Sequence, residues 1–417
     1  MIPLYIVCEH DNPKVQQLQR IISDNIKAGN QKHAACNYRD LAKVLFKSGN
    51  LLYALDVLEK AAQINHQLSL YERELQDRRY RIDLLEMQGD RFLVAEEFAY
   101  IASLCKNQIK NQSLAFHFYK ESALNFEKHG NYFACHKMAY QASLCTKRKR
   151  SKVDMLNIAI RASIKQDIFA KVIFYVNQEL NLNFYSKTDA EYLSLCQKGY
   201  YAAKRSGNDE MVLHFLEPLI NAHVQYSIDQ IVIKQISSDY LRAYIRHNRS
   251  VDCKLYQLIE SVYTSTVEKS NTYNDLSSEC GQLGMYDEQH QLKIRSFDCL
   301  KSHYWDKKKY GQYGIYSFWR VTSLYGESLG RWTFASLIII SLFSSFYFFI
   351  PNILNNPLSN IVQAIYFSIV TFTTLGYGDL FPCAGSILGQ FLVVAEVIIG
   401  YMMLGGLVSI FTKKIFR

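Results

Sequence analysis

From Trp332 to Thr412 the chain carries only two charged residues, Asp379 and Glu396, whereas everything before it is dense in Lys, Arg, Asp and Glu. Within that stretch Thr333–Ile350 (TFASLIIISLFSSFYFFI) is a run of 18 uncharged residues, and Ile387–Phe411 a run of 25 with a single acid. Each is long enough to cross a hydrocarbon core about 30 Å thick as a helix. Between them lies SNIVQAIYFSIV, apolar but too short to span, and then TFTTLGYGDLFP, with two glycines, a threonine run and an aspartate. Lipid offers no hydrogen bonds, so irregular backbone at that depth persists only inside protein or beside a water- or ion-filled cavity. The pattern predicts a re-entrant segment, helix in and extended chain back out. Basic residues set the orientation. Lys413, Lys414 and Arg417 follow the second span, and Lys301, Lys307, Lys308, Lys309, Arg320 and Arg331 precede the first, while PNILNNPLSN between them has none. The positive-inside rule then expects a multi-pass protein of the cell membrane with both termini in the cytosol.

The remainder repeats itself. LFKSGNLLYAL, LLEMQGDRFLVAEEF, NFEKHGNYFACHKMA, ASIKQDIFAKVIF, AAKRSGNDEMVLHF, YIRHNRSVDCKLY and CGQLGMYDEQHQL each place a turn between two apolar helical patterns. The turn positions are Gly49, Gly89, Gly130, Gln166, Gly207, His247 and Gly284, so the period is close to 40 residues. Helix pairs at such a period imply an α-solenoid in which each pair buries its apolar face against its neighbours. The fold class expected is all-α: an N-terminal solenoid over 1–300, a linker and interfacial helix over 301–331, and a membrane module over 332–417. Within that module the spans are 333–350 and 387–411, with the pore helix and loop at 361–379. Upstream of the first turn, Asn12 as N-cap, Pro13 at the first helical position and Gly29 as stop define one more helix. In the first and third repeats the small residues resemble the tetratricopeptide pattern: Ala42, Ala54 and Ala61 around Gly49-Asn50, and Ala123 and Ala142 around Gly130-Asn131. The resemblance implies a protein or peptide partner for the concave face. Gln166 and His247 depart from it, and the period exceeds the usual ~34 residues.

Composition excludes several functions. Ten cysteines stand singly, with no C-x-x-C pair, so neither a zinc site nor a dithiol is signalled and no transition metal is expected. They read as small buried hydrophobes in a reducing compartment. No cofactor motif, Ser/His/Asp or Cys/His pairing can be placed, so no enzyme is expected. The formal net charge of +9 fits a protein beside anionic lipid rather than one that binds nucleic acid. MIPLYIVCEHDNPK has no basic start and no long apolar core, so a signal peptide is not expected. YGIYSFWRVTSLYGESLGRW reads as an interfacial helix with Trp319, Tyr325 and Trp332 at headgroup depth.

Thr374-Leu375-Gly376-Tyr377-Gly378, followed by Asp379, resembles the selectivity filter of the potassium-channel pore family, over about Arg331 to Arg417. The resemblance implies backbone carbonyls that replace the water around K+, with left-handed backbone at Gly376 and Gly378. It implies a hydroxyl site at Thr374, a wedge at Tyr377, and support from Thr373, Asp379, Tyr366 and Phe367. A homotetramer follows, because four filters must converge on one axis. Leu375 stands where valine or isoleucine is commonest, and Val370 where some bacterial relatives carry a glutamate that clamps the aspartate. Gly400, or Gly405 with Gly406, is a candidate gating hinge. Glu396 either lines the pore or sits behind the filter, hydrogen-bonded to Ser368 or Thr371. No span repeats arginine, so no voltage sensor is expected, and interfacial segments of this kind in two-transmembrane channels couple cytosolic domains to the first span. The expectation is a tetrameric, voltage-independent, potassium-selective channel modulated by its repeat domain. The alternative is a membrane-anchored helical-repeat adaptor with a silent pore module.

Overall fold

A computed structural model describes residues 12–187, 189–226 and 230–415, which are mostly helical, with no strand among them. Cys8 and Arg417 lie outside the described residues. The chain divides into two compact units, 1–227 and 228–417.

The first unit is a run of helices, each packed on the next: α1 Pro13–Lys27, α2 Gln31–Lys47, α3 Leu51–Gln67, α4 Tyr71–Gln88, α5 Arg91–Asn107, α6 Gln112–His129, α7 Tyr132–Leu144, α8 Lys149–Lys165, α9 Phe169–Leu180, α10 Ala190–Ser206 and α11 Asp209–Tyr226. Four of its turns share one local chemistry. A residue in left-handed backbone closes one helix, and the residue after it caps the next. Gly49, Gly89, Gly130 and Gly207 take φ of +85°, +81°, +87° and +67°. Behind them Asn50, Asp90, Asn131 and Asn208 accept from the backbone N–H of Tyr53, Leu93, Ala134 and Met211 at 3.0–3.4 Å. This joins a glycine stop to an Asx cap without a loop between them. Where the sequence offers no glycine the turn still needs a left-handed residue. Asp167 supplies it one place after Gln166, and in the second unit Arg249 does so two places after His247. In the linking turns Gly29, Ser69 and Lys110 are left-handed as well, but of the residues after them only Asn111 caps through its side chain, accepting from Leu114 N–H at 3.1 Å. Asn12 caps α1 as expected, accepting from Lys14 N–H at 3.1 Å.

Ala42, Ala54, Ala61, Ala123 and Ala142 are fully buried, which lets adjacent helices approach closely. α4 adds something the apolar pattern does not announce. Its Arg78 is buried, with Nε on Glu74 at 3.1 Å and Nη1 on Glu59 and Glu97 at 3.3 and 3.2 Å. The guanidinium also sits 3.7 Å from the centroid of the Tyr100 ring. Arg81 joins the same two acids, and Glu74 also meets His66 at 2.9 Å.

The second unit comprises α12 Gln230–Asn248, α13 Cys253–Val262, α14 Thr266–Gln282, α15 Tyr286–Asp306, α16 Tyr310–Ser323, α17 Leu329–Phe349, α18 Ile361–Phe372 and α19 Ile387–Ile415. Leu241, Ile245, Leu255, Ile259, Tyr273 and Leu292 form the core that unites α12 to α15. α15 runs unbroken through residue 300 and then packs on α16. α17 and α19 are long and apolar enough to cross a membrane, and α18 is a shorter apolar helix between them. Phe343, Tyr347, Ile353, Leu354 and Phe367 are the buried centre of that trio, against Leu392, Val393 and Ile399.

Removing Arg78 would leave Glu74, which has no exposed surface, with only the His66 imidazole beside it. Breaking a buried pair from one side costs about 3–5 kcal/mol. Arg78→Ala is expected to lower stability by that amount in chemical denaturation followed by helical circular dichroism. Lys60→Ala, which removes an exposed 2.8 Å pair with Asp56, should change it by about 0–1 kcal/mol.

Candidate functional site

The site is built from α18 and the chain that follows it. Asn360 opens the helix, accepting from Gln363 N–H at 3.0 Å, and the Gln363 side chain reaches back to accept from Ser359 N–H at 2.8 Å. This reciprocal cap satisfies donors that would otherwise be orphaned. At the other end the chain closes in a Schellman turn. Leu375 N–H reaches Val370 O at 3.0 Å, and Thr374 N–H reaches Thr371 O at 3.1 Å. Thr373 adds its hydroxyl to Ile369 O at 2.7 Å. The motif needs a left-handed residue just past the cap, a place usually held by glycine. Here Thr374 holds it with φ +58°. A β-branched residue in that conformation costs on the order of 1–3 kcal/mol, which the surrounding bonds must offset.

Left-handed backbone then recurs at every second residue: Thr374 at +58°, Gly376 at +57° and Gly378 at +81°. A Cβ at Gly376 or Gly378 would meet nothing within 4 Å, so glycine is required there by conformation and not by space. The sequence-based expectation named the two glycines; the threonine was not foreseen. The returning chain is tied to the loop after α17. Leu354 and Pro382 form an isolated antiparallel bridge, Asn355 N–H donates to Phe381 O at 2.9 Å, and Cys383 N–H donates to Ile353 O at 2.8 Å.

The named support residues separate into two groups. Phe367 is buried, with its ring 4.8 Å from that of Tyr347 in an edge-on contact. Together with Thr371, Thr374, Tyr377, Pro382 and Val397 it lines a cavity of about 300 Å³. Tyr366 lies on the outer face of α18, where its hydroxyl interacts with Asp379. Leu375 and Tyr377 are 59% and 68% exposed on the single chain.

Behind α18, Glu396 has no exposed surface. It accepts from the Tyr347 hydroxyl at 2.8 Å and is hydrogen-bonded to the Ser368 hydroxyl, which also lies 3.0 Å from Ile340 O. One carboxyl group thus joins α17, α18 and α19. Ser368 was one of two partners expected; Tyr347, 49 residues away in sequence, was not foreseeable.

The glycines of α19 have distinct surroundings. A Cβ at Gly400 would be driven into the carbonyl of Phe372, the last residue of α18, so this glycine permits close packing beneath the turn. A Cβ at Gly406 would strike the Trp332 indole, whereas Gly405 faces open space. Trp332 lies over Gly406 because its Nε1 donates to Met403 O at 2.8 Å, joining the start of α17 to the far part of α19. The indole therefore meets protein where headgroup contact was expected. Tyr325 differs in the same way: it is buried, and its hydroxyl donates to Asp298 at 2.8 Å. Burial, then this bond, pushes the phenol pKa well above its ordinary value. Asp298 on α15 also receives Arg320 Nε at 2.7 Å and Nη2 at 3.3 Å. Glu327, nearby in the turn before α17, pairs with His290 and with Lys293 at 3.8 Å.

Glu396→Ala should leave the Tyr347 hydroxyl buried and unpaired, a loss of about 1–3 kcal/mol, while Ser368 keeps its bond to Ile340 O. Glu396→Gln keeps an acceptor and a donor in place and is expected to cost much less. Thermal denaturation of both variants in detergent, read against the unsubstituted chain, checks the order.

Residues 335–417 match the model of a family described as ion channel. No curated protein matches this chain. Among solved structures, similarity extends to the TPR2AB-domain:pHSP90-complex of yeast Sti1, at 10% identity and TM-score 0.23, covering 68% of this chain and 98% of that one. It extends also to a circular tandem repeat protein with novel repeat topology, at 12% identity and TM-score 0.21, covering 96% and 90%. Naa15/Naa10 bound to HypK-THB is similar at 12% identity and TM-score 0.25, covering 96% and 79%. Likenesses at these scores carry no argument about partner or function. The family match supports an ion-channel module in a membrane protein, preceded by helical repeats.

Proposed function

We propose that the chain is one subunit of a tetrameric, voltage-independent potassium channel whose opening is modulated by its cytosolic helical repeats. The observation that carries this is the alternation of left-handed backbone at Thr374, Gly376 and Gly378, directly beyond the capped end of a short apolar helix set between two spans. Alternation of this kind turns successive carbonyls toward one side, and a row of carbonyls can replace the water shell of a dehydrated cation. One chain offers only one wall, so four copies must meet on an axis. The exposure of Leu375 and Tyr377 on the single chain fits their burial against neighbouring copies. K+ at the filter carbonyls is the permeant ion, and no cofactor is invoked.

In this reading both termini and residues 1–300 lie in the cytosol, residues 301–331 connect them to the membrane, and residues 332–417 form the pore in the cell membrane. A protein or peptide partner on the repeats, acting through the connection, shifts the inner ends of α19. Asp379 with Tyr366 braces the outer mouth, and Thr373 and Phe367 brace the filter from behind. Glu396 acts as a filter-backing carboxylate, since its buried position keeps it out of any aqueous cavity on its own chain. The packing of Gly400 against Phe372 favours a role beneath the filter over that of a free hinge.

Ion flux into liposomes tests the proposal. The purified chain is expected to support flux down a potassium gradient and at least tenfold less down a sodium gradient. Gly376→Ala, which puts a Cβ on a left-handed residue, should abolish it. Equal sodium flux would replace the reading with a nonselective cation pore. No flux with or without the repeats would favour the adaptor with a silent pore module.

A further inference from the structure

The first unit carries its charge unevenly from one end of its helices to the other. The turn between α5 and α6 lies beside the turn between α7 and α8, since Lys106 Nζ near the end of α5 donates to Gln141 Oε1 near the end of α7 at 2.8 Å. Residues 104–113 (LCKNQIKNQS) hold two cations, Lys106 and Lys110, and residues 144–152 (LCTKRKRSK) hold five, with no carboxylate in either segment. At the opposite ends of these helices the signs alternate: Asp90 stands beside Arg91, Glu127 beside Lys128, and Asp167 two places after Lys165. Four of the cations, Lys147, Arg148, Lys149 and Arg150, are exposed, and their side chains make no ion pair or hydrogen bond among the described residues. Their placement works against the fold. Arg148 is the N-cap of α8 without a side-chain cap, and Lys149 and Arg150 stand in the first turn, where the helix dipole disfavours positive charge. Four like charges in succession also repel one another. Nothing in the described chain offsets either cost, so the cluster has the character of a surface that a partner completes.

We propose that these two turns dock an acidic, extended peptide segment of a partner protein. The Arg148 and Arg150 guanidinium groups take carboxylates in their forks, and Lys147 and Lys149 add point charges on flexible stems. The surroundings fit a peptide better than a lipid surface. Gln108 and Gln112 stand exposed on the adjoining turn, and an amide both donates to and accepts from a peptide backbone. Leu144 is the one large apolar residue exposed in the two segments, whereas a helix seated in a membrane interface presents a row of Trp, Phe or Leu. The inference rests on the reading of the repeats as a partner-binding body, and it supplies that partner's chemistry. Binding does not depend on conduction, so its failure and the failure of the channel reading are told apart by separate measurements.

Fluorescence anisotropy of a fluorescein-labelled peptide of alternating Glu and Ser, titrated with the full chain in neutral detergent, provides the test. The peptide should bind saturably, and its counterpart with Gln in place of Glu at least tenfold more weakly. Salt at about 0.5 M should release it, because exposed charges are then screened within a few Å. Lys147→Gln, Arg148→Gln, Lys149→Gln and Arg150→Gln made together should weaken binding tenfold or more. Helical circular dichroism should not change, since all four side chains are exposed. Lys307→Gln, Lys308→Gln and Lys309→Gln made together lower the net charge elsewhere in the chain and should leave binding within twofold. Absence of saturable binding, equal binding of the Gln peptide, binding that survives the fourfold substitution, or an equal loss in both variants would overturn the proposal. So would displacement of the peptide by oligothymidylate, or by soluble dihexanoylphosphatidylserine, at a lower concentration than the unlabelled peptide requires. The partner would then be a nucleic acid in the first case and a membrane headgroup in the second.

Discussion

A backbone that leaves its helix inside a membrane must find partners for its polar groups within the protein, and the second unit is arranged around one such exit. At the end of α18 the free carbonyls of Val370 and Thr371 are taken up by the N–H groups of Leu375 and Thr374. That closure is available only if Thr374 adopts a left-handed conformation. Once the first residue is so placed, Gly376 and Gly378 continue the alternation without a Cβ penalty. The conformation of the loop is thus prepared by the helix cap before any ion is considered.

What lies behind the cap keeps it in place. Gly400 allows α19 to come up against the Phe372 carbonyl. A larger residue there would force the two helices apart at the point where the loop begins. Four residues earlier on α19, Glu396 joins Tyr347 and Ser368. A buried carboxyl group is costly unless its hydrogen bonds are met, and here helices on both sides meet them. Three apolar helices could slide on one another, because lipid competes weakly with Leu, Ile and Phe. A shared polar group fixes their register.

Much of this was legible in the sequence because it rests on local chemistry. A glycine followed by Asn or Asp marks a helix stop and the next helix start, so Gly49-Asn50, Gly89-Asp90 and Gly130-Asn131 announce their turns. The run Ile387–Phe411 falls inside α19 and Thr333–Ile350 inside α17 but for its last residue, α17 starting at Leu329 and α19 ending at Ile415. Contacts between distant elements left no such mark. Asp167 and Arg249 take left-handed backbone because helix packing fixes where the turn must fall, and neither residue type signals it. Tyr325 and Trp332 look like headgroup anchors by composition, yet Asp298 and the Met403 carbonyl draw them into protein. The acids and arginines of α4 scan as a solvated face, and only the placement of α3 and α5 on either side makes Arg78 a buried residue. Periodicity reports how a helix divides its surface, and it is silent about a polar group buried with its partners.

The turn between α16 and α17 holds opposed terms of similar size. Leu324, Tyr325 and Gly326 take φ of +54°, +61° and +79° in succession. For the two residues with a Cβ this costs roughly 1–2 kcal/mol each. Against it stand the buried Tyr325 bond to Asp298, worth about 1.5–3 kcal/mol as a hydrogen bond to a charged group, and the more exposed Arg320 pair, worth about 0–1 kcal/mol. The two sides nearly cancel, so the turn is held by a small margin. Couplings between sites in proteins are commonly about 1–3 kcal/mol, so a change at Asp298 is of the size that can shift such a turn. Seven residues beyond Tyr325, Trp332 grips the Met403 carbonyl over Gly406. A turn that let go would therefore move the start of α17 and, through that indole, the far part of α19. The strain in the turn and the grip of the tryptophan are two ends of one lever, and α15 holds its handle.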